Sequence, residues 1–403
     1  MAAELKQIKV SEEEAVKDSL QRNFPAIRVD RLKASSEIKD NENFMGIITK
    51  LDVDGYDSEK GEEVHMSLIM KTMPDSAKRR ATFNVEAAFS NEAAFYSRVL
   101  PTLVQYADLK FAPCLQARTD LILLRHLGQD GYVLADRKEG LDLQHCELVL
   151  RELAKYHAVS LALKHTDPAT FNQIKSEIRE VFVTGENVII NKSYDVCIDM
   201  ALKVTTDLES KAVTMLKGIQ GNSLKLMIPF AAPKEPLAVI CHGDLWSNNL
   251  LFRYSPDNSK TPIDVTFLDL QGCRYASPSL DIMYFLFSST KKDVTKQNFR
   301  HLVVTYHRSL VEHLKRLAPL APTVTLDDIM VQIKQHAAFG MVMSLAVLPA
   351  VTADKLSYTI DDVTEECLHN EEFLAEAEKG IITPEFKRRV NTMFEVVVLE
   401  GLI

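Results

Sequence analysis

The 403-residue chain has no membrane-length apolar run, no CxxC pair, no basic excess and no internal repeat. No stretch reaches the roughly 18 to 20 consecutive apolar residues of a membrane-spanning helix, and the segment 345–350 is short and broken by Pro349, so no membrane span is expected. The six cysteines, at 114, 146, 197, 241, 273 and 367, are scattered. With no CxxC spacing among them they read as small buried hydrophobes in a reducing compartment. The net charge of −9 excludes a general nucleic-acid-binding surface, although an acidic chain can hold a local basic pocket for phosphates. Residues 1–17 are rich in Glu and Lys and lack the apolar stretch of a signal sequence, so a soluble cytoplasmic protein is expected. With no repeat or low-complexity tract there is no sign of a third domain, while 403 residues exceed one small core and suggest two lobes or domains.

What the chain does have is concentrated in Cys241-His-Gly-Asp244-Leu-Trp-Ser-Asn-Asn249-Leu-Leu-Phe252, followed by Phe267-Leu-Asp269-Leu-Gln271. An Asp and an Asn stand five residues apart in a polar loop between apolar runs, and a second Asp ends the next apolar segment. Phosphoryl transfer asks little covalent chemistry of a protein. It must orient an attacking hydroxyl, hold magnesium against the phosphates and neutralise shifting charge. Asp244 can accept the hydroxyl proton, while Asn249 offers magnesium a neutral oxygen and Asp269 an anionic one, which suits a hard cation. The base and the magnesium-binding Asn of protein-kinase catalytic loops have the same separation. His-Gly-Asp alone is a common turn tripeptide. Its surroundings argue for more: 237–240 and 250–252 read as buried strands, 253–262 as a turn-rich connector and 263–268 as a further strand. The resulting hairpin brings Asp269 back beside Asn249, as two ligands of one ion require.

Upstream, strands dominate. Residues 27–34, 43–53 and 64–72 have the β-branched and apolar content of strands, with Asp54-Gly55 as a hairpin signal between the last two. Ser11 and Glu14 form a capping-box pattern opening a helix that runs toward Phe24, and a second helix is expected over about 80–99. After Gly128 the pattern turns helical. Apolar residues recur every three or four positions over 141–163, which makes His157 a residue of the core or behind the site, not a base. The segment 165–235 is mainly helical with polar breaks at 184–187 and 218–223, and further helices are predicted at 278–289, 294–317, 326–348, 361–380 and 384–398.

The strings HGDLWSNNLLF and VTFLDLQGCRYASPSLDIMYFL resemble the ecdysteroid kinase-like family of insects, a branch of the aminoglycoside phosphotransferase and choline kinase group within the protein-kinase-like superfamily. The resemblance extends to LIMKTMP at 68–74, FSNEAAFYSRVLPTL at 89–103, GYVLADRKEGLDLQHCELVLRELAKYHAVSLAL at 131–163 and RYASPSLDI at 274–282. It implies an α+β, two-lobed protein-kinase-like fold, with a small antiparallel-sheet nucleotide-binding lobe at 1–127 and a large, mainly helical catalytic and acceptor-binding lobe at 128–403. It also implies ATP and Mg2+ as cofactors. The acceptor would be a small-molecule alcohol, an ecdysteroid or another sterol-like or xenobiotic compound.

By the same resemblance Lys71 reaches the α- and β-phosphates and is held by a Glu of the following helix. Of Glu86 and Glu92, the family's pattern of Phe, two residues, Glu and then an aromatic selects Glu92. The adenine would be read by backbone groups of the hinge 121–127, at Arg125 and Leu127, although Arg125 and His126 replace the Glu and Asp common in relatives. The phosphate-cradling turn 39–46 also departs, having the single Gly46 in place of GxGxxG. In the superfamily the residue at His242 orders the loop and that at Asp281 anchors it from behind, while Trp246 either packs under the loop or faces substrate. Asp269-Leu-Gln replaces DFG and no APE-type segment follows, so a peptide-docking activation loop is not indicated. Two other readings stand: a choline-, ethanolamine- or aminoglycoside-type kinase with an acidic or aromatic cage for a cation, and a silent kinase-fold protein that sequesters a hydrophobic ligand. Joint retention of Lys71, Asp244, Asn249 and Asp269 argues against the second.

Overall fold

The computed structural model describes all residues except 1–7, 36–44, 186–187, 208, 292, 354–357 and 359–361. Its first part is an antiparallel sheet of β1 (Ile27–Ser35), β2 (Ile47–Asp57), β3 (Glu62–Thr72), β4 (Cys114–Ala117) and β5 (Leu121–Arg125), in the order β1-β2-β3-β5-β4. Strand parity divides its two faces. Leu51, Val53, Leu68, Met70, Leu121 and Leu123 join Ala15, Val16 and Leu20 of the helix Val10–Asn23 in one core. The alternate residues Ile69 and Lys71 of β3 line a cavity on the other side. One long amphipathic strand thus both builds a core and presents a lysine to the cleft.

Several expected boundaries move. Asp54 and Gly55 lie inside β2, paired with His65 and Val64, and the reversal occurs at Ser58-Glu59-Lys60-Gly61. There the Asp57 carboxylate accepts the N–H groups of Glu59 and Lys60 (2.9 and 3.1 Å), and Gly61 takes φ +73°. The glycine at 55 answers to close approach, not to a turn: a Cβ there would sit 2.4 Å from the Arg28 carbonyl oxygen of β1. The first helix begins at Val10, where the Glu12 carboxylate accepts the Lys9 N–H, so the start falls before the expected Ser11. The helix expected over 80–99 is interrupted. Asn84, left-handed at φ 52°, separates Ala77–Phe83 from Val85–Ala94, which continues through a π-helical turn at Phe95–Val99. The expected strand start at 43–44 and most of the turn 39–46 lie outside the described residues.

The remainder is mainly helical around two small sheets. Helix Leu143–Thr166 packs along Val294–Leu317, and Ser279–Ser289, buried at every position, packs along Leu326–Thr352. The last of these runs four residues past its expected end, through Pro349. By length and composition alone it could cross a membrane, but most of its apolar window is buried in this core. The helix expected at 361–380 is shorter, Glu371–Ile381, preceded by a 3-10 turn at Cys367–His369, and residue 361 lies outside the described part. None of the six cysteines forms a disulfide.

Strand β6 (Tyr132–Leu134) pairs with β8 (Leu250–Ser255), which pairs with β9 (Asn258–Phe267), while β7 (Val239–Cys241) pairs with β10 (Arg274–Ala276). The stretch 253–262 is mostly strand: Ser255 faces Asn258, so the connector is a tight hairpin. Its register sets Leu250 opposite Phe267, and the Leu268 N–H donates to the Asn249 carbonyl at 2.9 Å. Asp269 follows directly beside the loop that holds Asn249.

The contrast between two glycines tests this packing. Gly55→Ala is expected to destabilise the protein by about 1–3 kcal/mol through overpacking against β1. Gly218→Ala, in the helix Lys211–Ile219 with open space around it, should stabilise by about 0.5–1 kcal/mol. Urea unfolding measures both, and equal effects would contradict the close approach at Gly55.

Candidate active site

Lys71 stands one residue before the end of β3 with its side chain sealed from water, 4% exposed, as is Glu92 at 1%. The Lys71 ammonium donates to Glu92 Oε2 at 2.8 Å and to Asp269 Oδ1 at 2.9 Å, and it stands 5.7 Å from the centre of the Phe89 ring. Glu86 points elsewhere, to Arg80 at 3.1 Å. Burial works against the lysine's charge, but Asp269 and Glu92 outweigh it and hold Lys71 above the usual lysine range. Burial pushes the Glu92 carboxyl up to about 7 against the pull of Lys71, and Asp269 adds to the rise. Turned with its oxygen toward Lys71 and its nitrogen toward Asp269, the Gln271 amide satisfies both, at 3.0 and 3.2 Å.

The loop after β7 is fixed by its backbone. Gly243 adopts φ +83°, and a Cβ there would lie 1.7 Å from the Gly272 carbonyl oxygen, so only glycine lets the two turns approach. The next residue, Asp244, receives the Tyr284 hydroxyl on Oδ1 and the Asn249 amide on Oδ2, both at 2.9 Å. Asn249 Nδ2 also donates to the Asp244 carbonyl at 2.8 Å. Burial, then the neighbouring Asp269, raises the Asp244 carboxyl to about 6, opposed by hydrogen bonds from Tyr284, Asn249 and Trp246. Because the Asn249 nitrogen is committed to Asp244, its amide oxygen is the group left for a cation. Asp269 supplies an anionic oxygen from a left-handed residue at φ 62°. Both are hard oxygen donors at one cavity, and they fit a magnesium ion.

Behind the loop sits Asp281, 1% exposed, on the helix Ser279–Ser289. Its carboxylate accepts the N–H groups of His242 and Gly243 (2.7 and 2.9 Å) and faces His157 Nε2 at 3.2 Å. Burial opposes its charge, yet the bonding to His157, then His242 and the Gly243 N–H, holds this carboxyl below its ordinary range. His157 continues to the Tyr306 hydroxyl at 2.8 Å. His242 lies across the loop: its Nδ1 accepts the Asp244 N–H and its Nε2 contacts the Leu268 carbonyl oxygen, which assigns Nε2 as the protonated nitrogen. Burial lowers its affinity for a second proton. His242 therefore bridges the Asp244 and Asp269 segments as a neutral imidazole.

A cavity of about 680 Å3 runs between the sheet and the helical part. Lys71, Glu92, Asp244, Asn249 and Asp269 meet at one part of its wall; Arg125 and Leu127 line it as well. Arg125 is not brought to the charged cluster. Its side chain is half exposed on Asp130 at 2.8 Å, and its N–H donates to the Pro113 carbonyl. The His126 N–H is taken by Ser67. The Leu127 N–H opens a one-turn 3-10 helix and has no partner within it. Trp246, 7% exposed, lines the cavity rather than packing only beneath the loop.

Tyr284, Arg274, Asn91 and Glu180 carry the site's hydrogen bonds but were not singled out from the sequence. Tyr284 had a legible signal, since it lies three residues after Asp281 and so on the same side of the helix. Arg274 lies within the RYASPSLDI tract. Asn91 lies within the tract 89–103, whereas Glu180 had no signal, because a single polar residue in a loop has no period.

The sequence profile of the Ecdysteroid kinase-like family matches residues 40–318. No curated protein matches the chain. Among solved structures, a Plasmodium vivax ethanolamine kinase is 12% identical with a TM-score of 0.44, over 96% of this chain and 87% of that one. A choline kinase from Cryptosporidium parvum Iowa II is 12% identical with a TM-score of 0.47, over 97% of this chain and 98% of that one.

The buried triad yields a stability test. Lys71→Met leaves Glu92 and Asp269 without their cation and should cost about 3–5 kcal/mol. Adding Glu92→Gln should recover a substantial part of that loss, because one uncompensated charge is removed. Chemical denaturation of the single and double variants measures this, and simple additivity would contradict the pairing.

Proposed function

The chain belongs to the ecdysteroid kinase-like family, and on that premise we propose that it transfers the γ-phosphoryl group of ATP to a hydroxyl of an apolar small molecule. The acceptor class we infer is an ecdysteroid or another sterol-like or xenobiotic alcohol. One observation carries this choice. Among the described residues that line the cavity, the only carboxylates are Glu92, Asp244 and Asp269, all at the charged cluster. Away from it the wall is mainly apolar and includes Ile190, Val196 and Met200 from the helix Val188–Val204, Met343 and Val347 from Leu326–Thr352, Phe373 from Glu371–Ile381 and the ring of Tyr358. A cationic acceptor gains from a carboxylate beside its charge, whereas a fused hydrocarbon skeleton gains from aliphatic walls.

In this reading Asp244 orients the acceptor hydroxyl and takes its proton as the new O–P bond forms and the bond to the ADP oxygen breaks. Lys71, fixed by Glu92, places its charge against the nucleotide phosphates. Asn249 and Asp269 would hold magnesium, which neutralises phosphate charge when bound. Tyr284 and Asn249 hold the Asp244 carboxylate in one orientation, which matters because a misplacement of about 1 Å can cost on the order of 100-fold in rate. The Leu127 N–H is the hinge donor for the adenine edge.

Radiolabelled ATP with magnesium, offered with ecdysone, cholesterol and choline, tests the reading. Product is expected with the steroid alcohols, and Asp244→Ala should lower turnover by at least about 100-fold. Choline as the preferred acceptor would favour the cationic class, and absence of both product and thermal stabilisation by ATP with magnesium would favour a silent binding protein. The pH dependence follows from the raised Asp244 carboxyl. Below about pH 6 the base is protonated, so kcat/KM should fall about tenfold per unit as pH drops, and the residual activity of Asp244→Asn should lack that limb.

A further inference from the structure

Arg274 has a fully buried guanidinium, 2% exposed, that no step above uses. Its Nε donates to the Gly272 carbonyl at 3.1 Å and its terminal nitrogen to the Gly243 carbonyl at 2.8 Å. Gly243 precedes Asp244 and Gly272 follows Asp269 by three residues, so one planar group ties the turn of the base to the turn of the metal ligand. Its other terminal nitrogen lies 2.8 Å from Glu180 Oε2, an ion pair lacking good hydrogen-bond alignment. Two aromatic rings, Phe182 and Phe339, each stand 5.9 Å from the guanidinium carbon.

Glu180 belongs to the non-helical stretch 179–183, and this stretch reaches Arg274, Asn91 and the turn at Gly272. Glu180 Oε1 accepts the N–H groups of Val181, Phe182 and Val183 at 3.0, 2.9 and 2.9 Å, which curls the chain around the carboxylate. The Arg179 N–H donates to Asn91 Oδ1 at 3.0 Å, and Asn91 Nδ2 donates to the carbonyls of Gln271 and Cys273 at 2.9 and 2.7 Å. Asn91 is the neighbour of Glu92. Val181 packs with Met45, Ala87 and Ala88, and Phe182 both lines the cavity and abuts Gly272, where an added Cβ would meet its ring at 2.6 Å.

Burying an ion pair seldom adds net stability, because desolvation offsets the attraction. A guanidinium, unlike an ammonium, presents a rigid planar fork that fixes several acceptors relative to one another. We propose that Arg274 is a positioning residue for phosphoryl transfer, and that Glu180 and Phe182 couple it to the acceptor, so that an acceptor seated against Phe182 holds the Asp244 and Asp269 turns in register. This rests on the phosphotransferase reading above. The coupling runs from the cavity wall at Phe182, through Glu180, to the carbonyls on both sides of the reaction centre. It makes residues 179–183 part of acceptor recognition and of catalysis together.

The test uses the full chain with ATP, magnesium and ecdysone. Arg274→Gln should lower kcat about 10- to 100-fold while the KM for ATP changes less than about threefold, and Arg274→Lys should not restore it. Glu180→Gln should lower kcat about tenfold and raise the KM for ecdysone. The double variant should be no slower than Arg274→Gln alone, since both act through one group. If Arg274→Gln fails to fold, Glu180→Gln decides, because it leaves the two carbonyl bonds in place. Unchanged kcat in Glu180→Gln overturns the inference, as do additive losses or equal loss of ATP binding and turnover. Absence of transfer by the unaltered protein to any acceptor overturns the phosphotransferase reading and this inference with it, whereas transfer at an undiminished kcat in both variants overturns this inference alone.

Discussion

One buried ammonium shared by two carboxylates joins the two parts of this molecule. Lys71 comes from the middle strand of the sheet, Glu92 from the helix beside it and Asp269 from the hairpin of the helical part. The cluster carries more negative than positive charge, and Asp244 adds another carboxyl to the same cavity. Water is largely excluded there, so burial first, and then repulsion from Asp269, raises the proton affinity of Glu92 and Asp244. A site with such an excess gains from a divalent cation. A lysine already fixed between two anions needs little further ordering to meet a phosphate. The features that look unfavourable for the folded chain alone are those that suit a metal-bound nucleotide.

Such a cluster functions only if the turns that hold it stay put, and two of those turns depart from ordinary backbone geometry. Gly243 and Asp269 both have positive φ. Each conformation is over-determined: Asp281 and Arg274 grip the first from opposite sides, and His242 ties it to Leu268, one residue before the second. The anchor is polar rather than apolar because a hydrogen bond fixes direction, which packing alone does not. His157, Cys241 and Asp281 lie within 4.8 Å of one another behind the loop, and the bonds of Asp281 to two backbone N–H groups make that cluster a clamp.

The hairpin that carries Asn249 and Asp269 was legible because its apolar runs are short, bounded and flanked by polar residues. The order of strands and helices follows from the same periodicities. Errors arose where one residue type serves two physical ends. Asp54-Gly55 has the composition of a turn, but its glycine answers to the backbone of a neighbouring strand distant in sequence. Asn84 interrupts a helix that propensity alone would continue. Lys71 and Glu92 could be paired only by resemblance, since 21 residues separate them and nothing local distinguishes Glu92 from Glu86. Asn91 and Glu180 act through backbone carbonyls and N–H groups, whose positions are a property of the fold and leave no mark on composition.

The apolar wall of the cavity lies at the far end of that scale. Val196 and Met200, and Met343 and Val347, stand four apart, and a helix face turned to a cavity has the same periodicity as one turned to a core. The charged cluster and the apolar wall are therefore written differently in this chain. The groups of the cluster are polar, buried and bonded to one another, so few alternatives satisfy them. The wall is apolar and spread over three helices, so its residues can be exchanged for others of similar size at small cost to stability. A changed wall residue alters only shape, whereas a changed Lys71 leaves Glu92 and Asp269 without their cation.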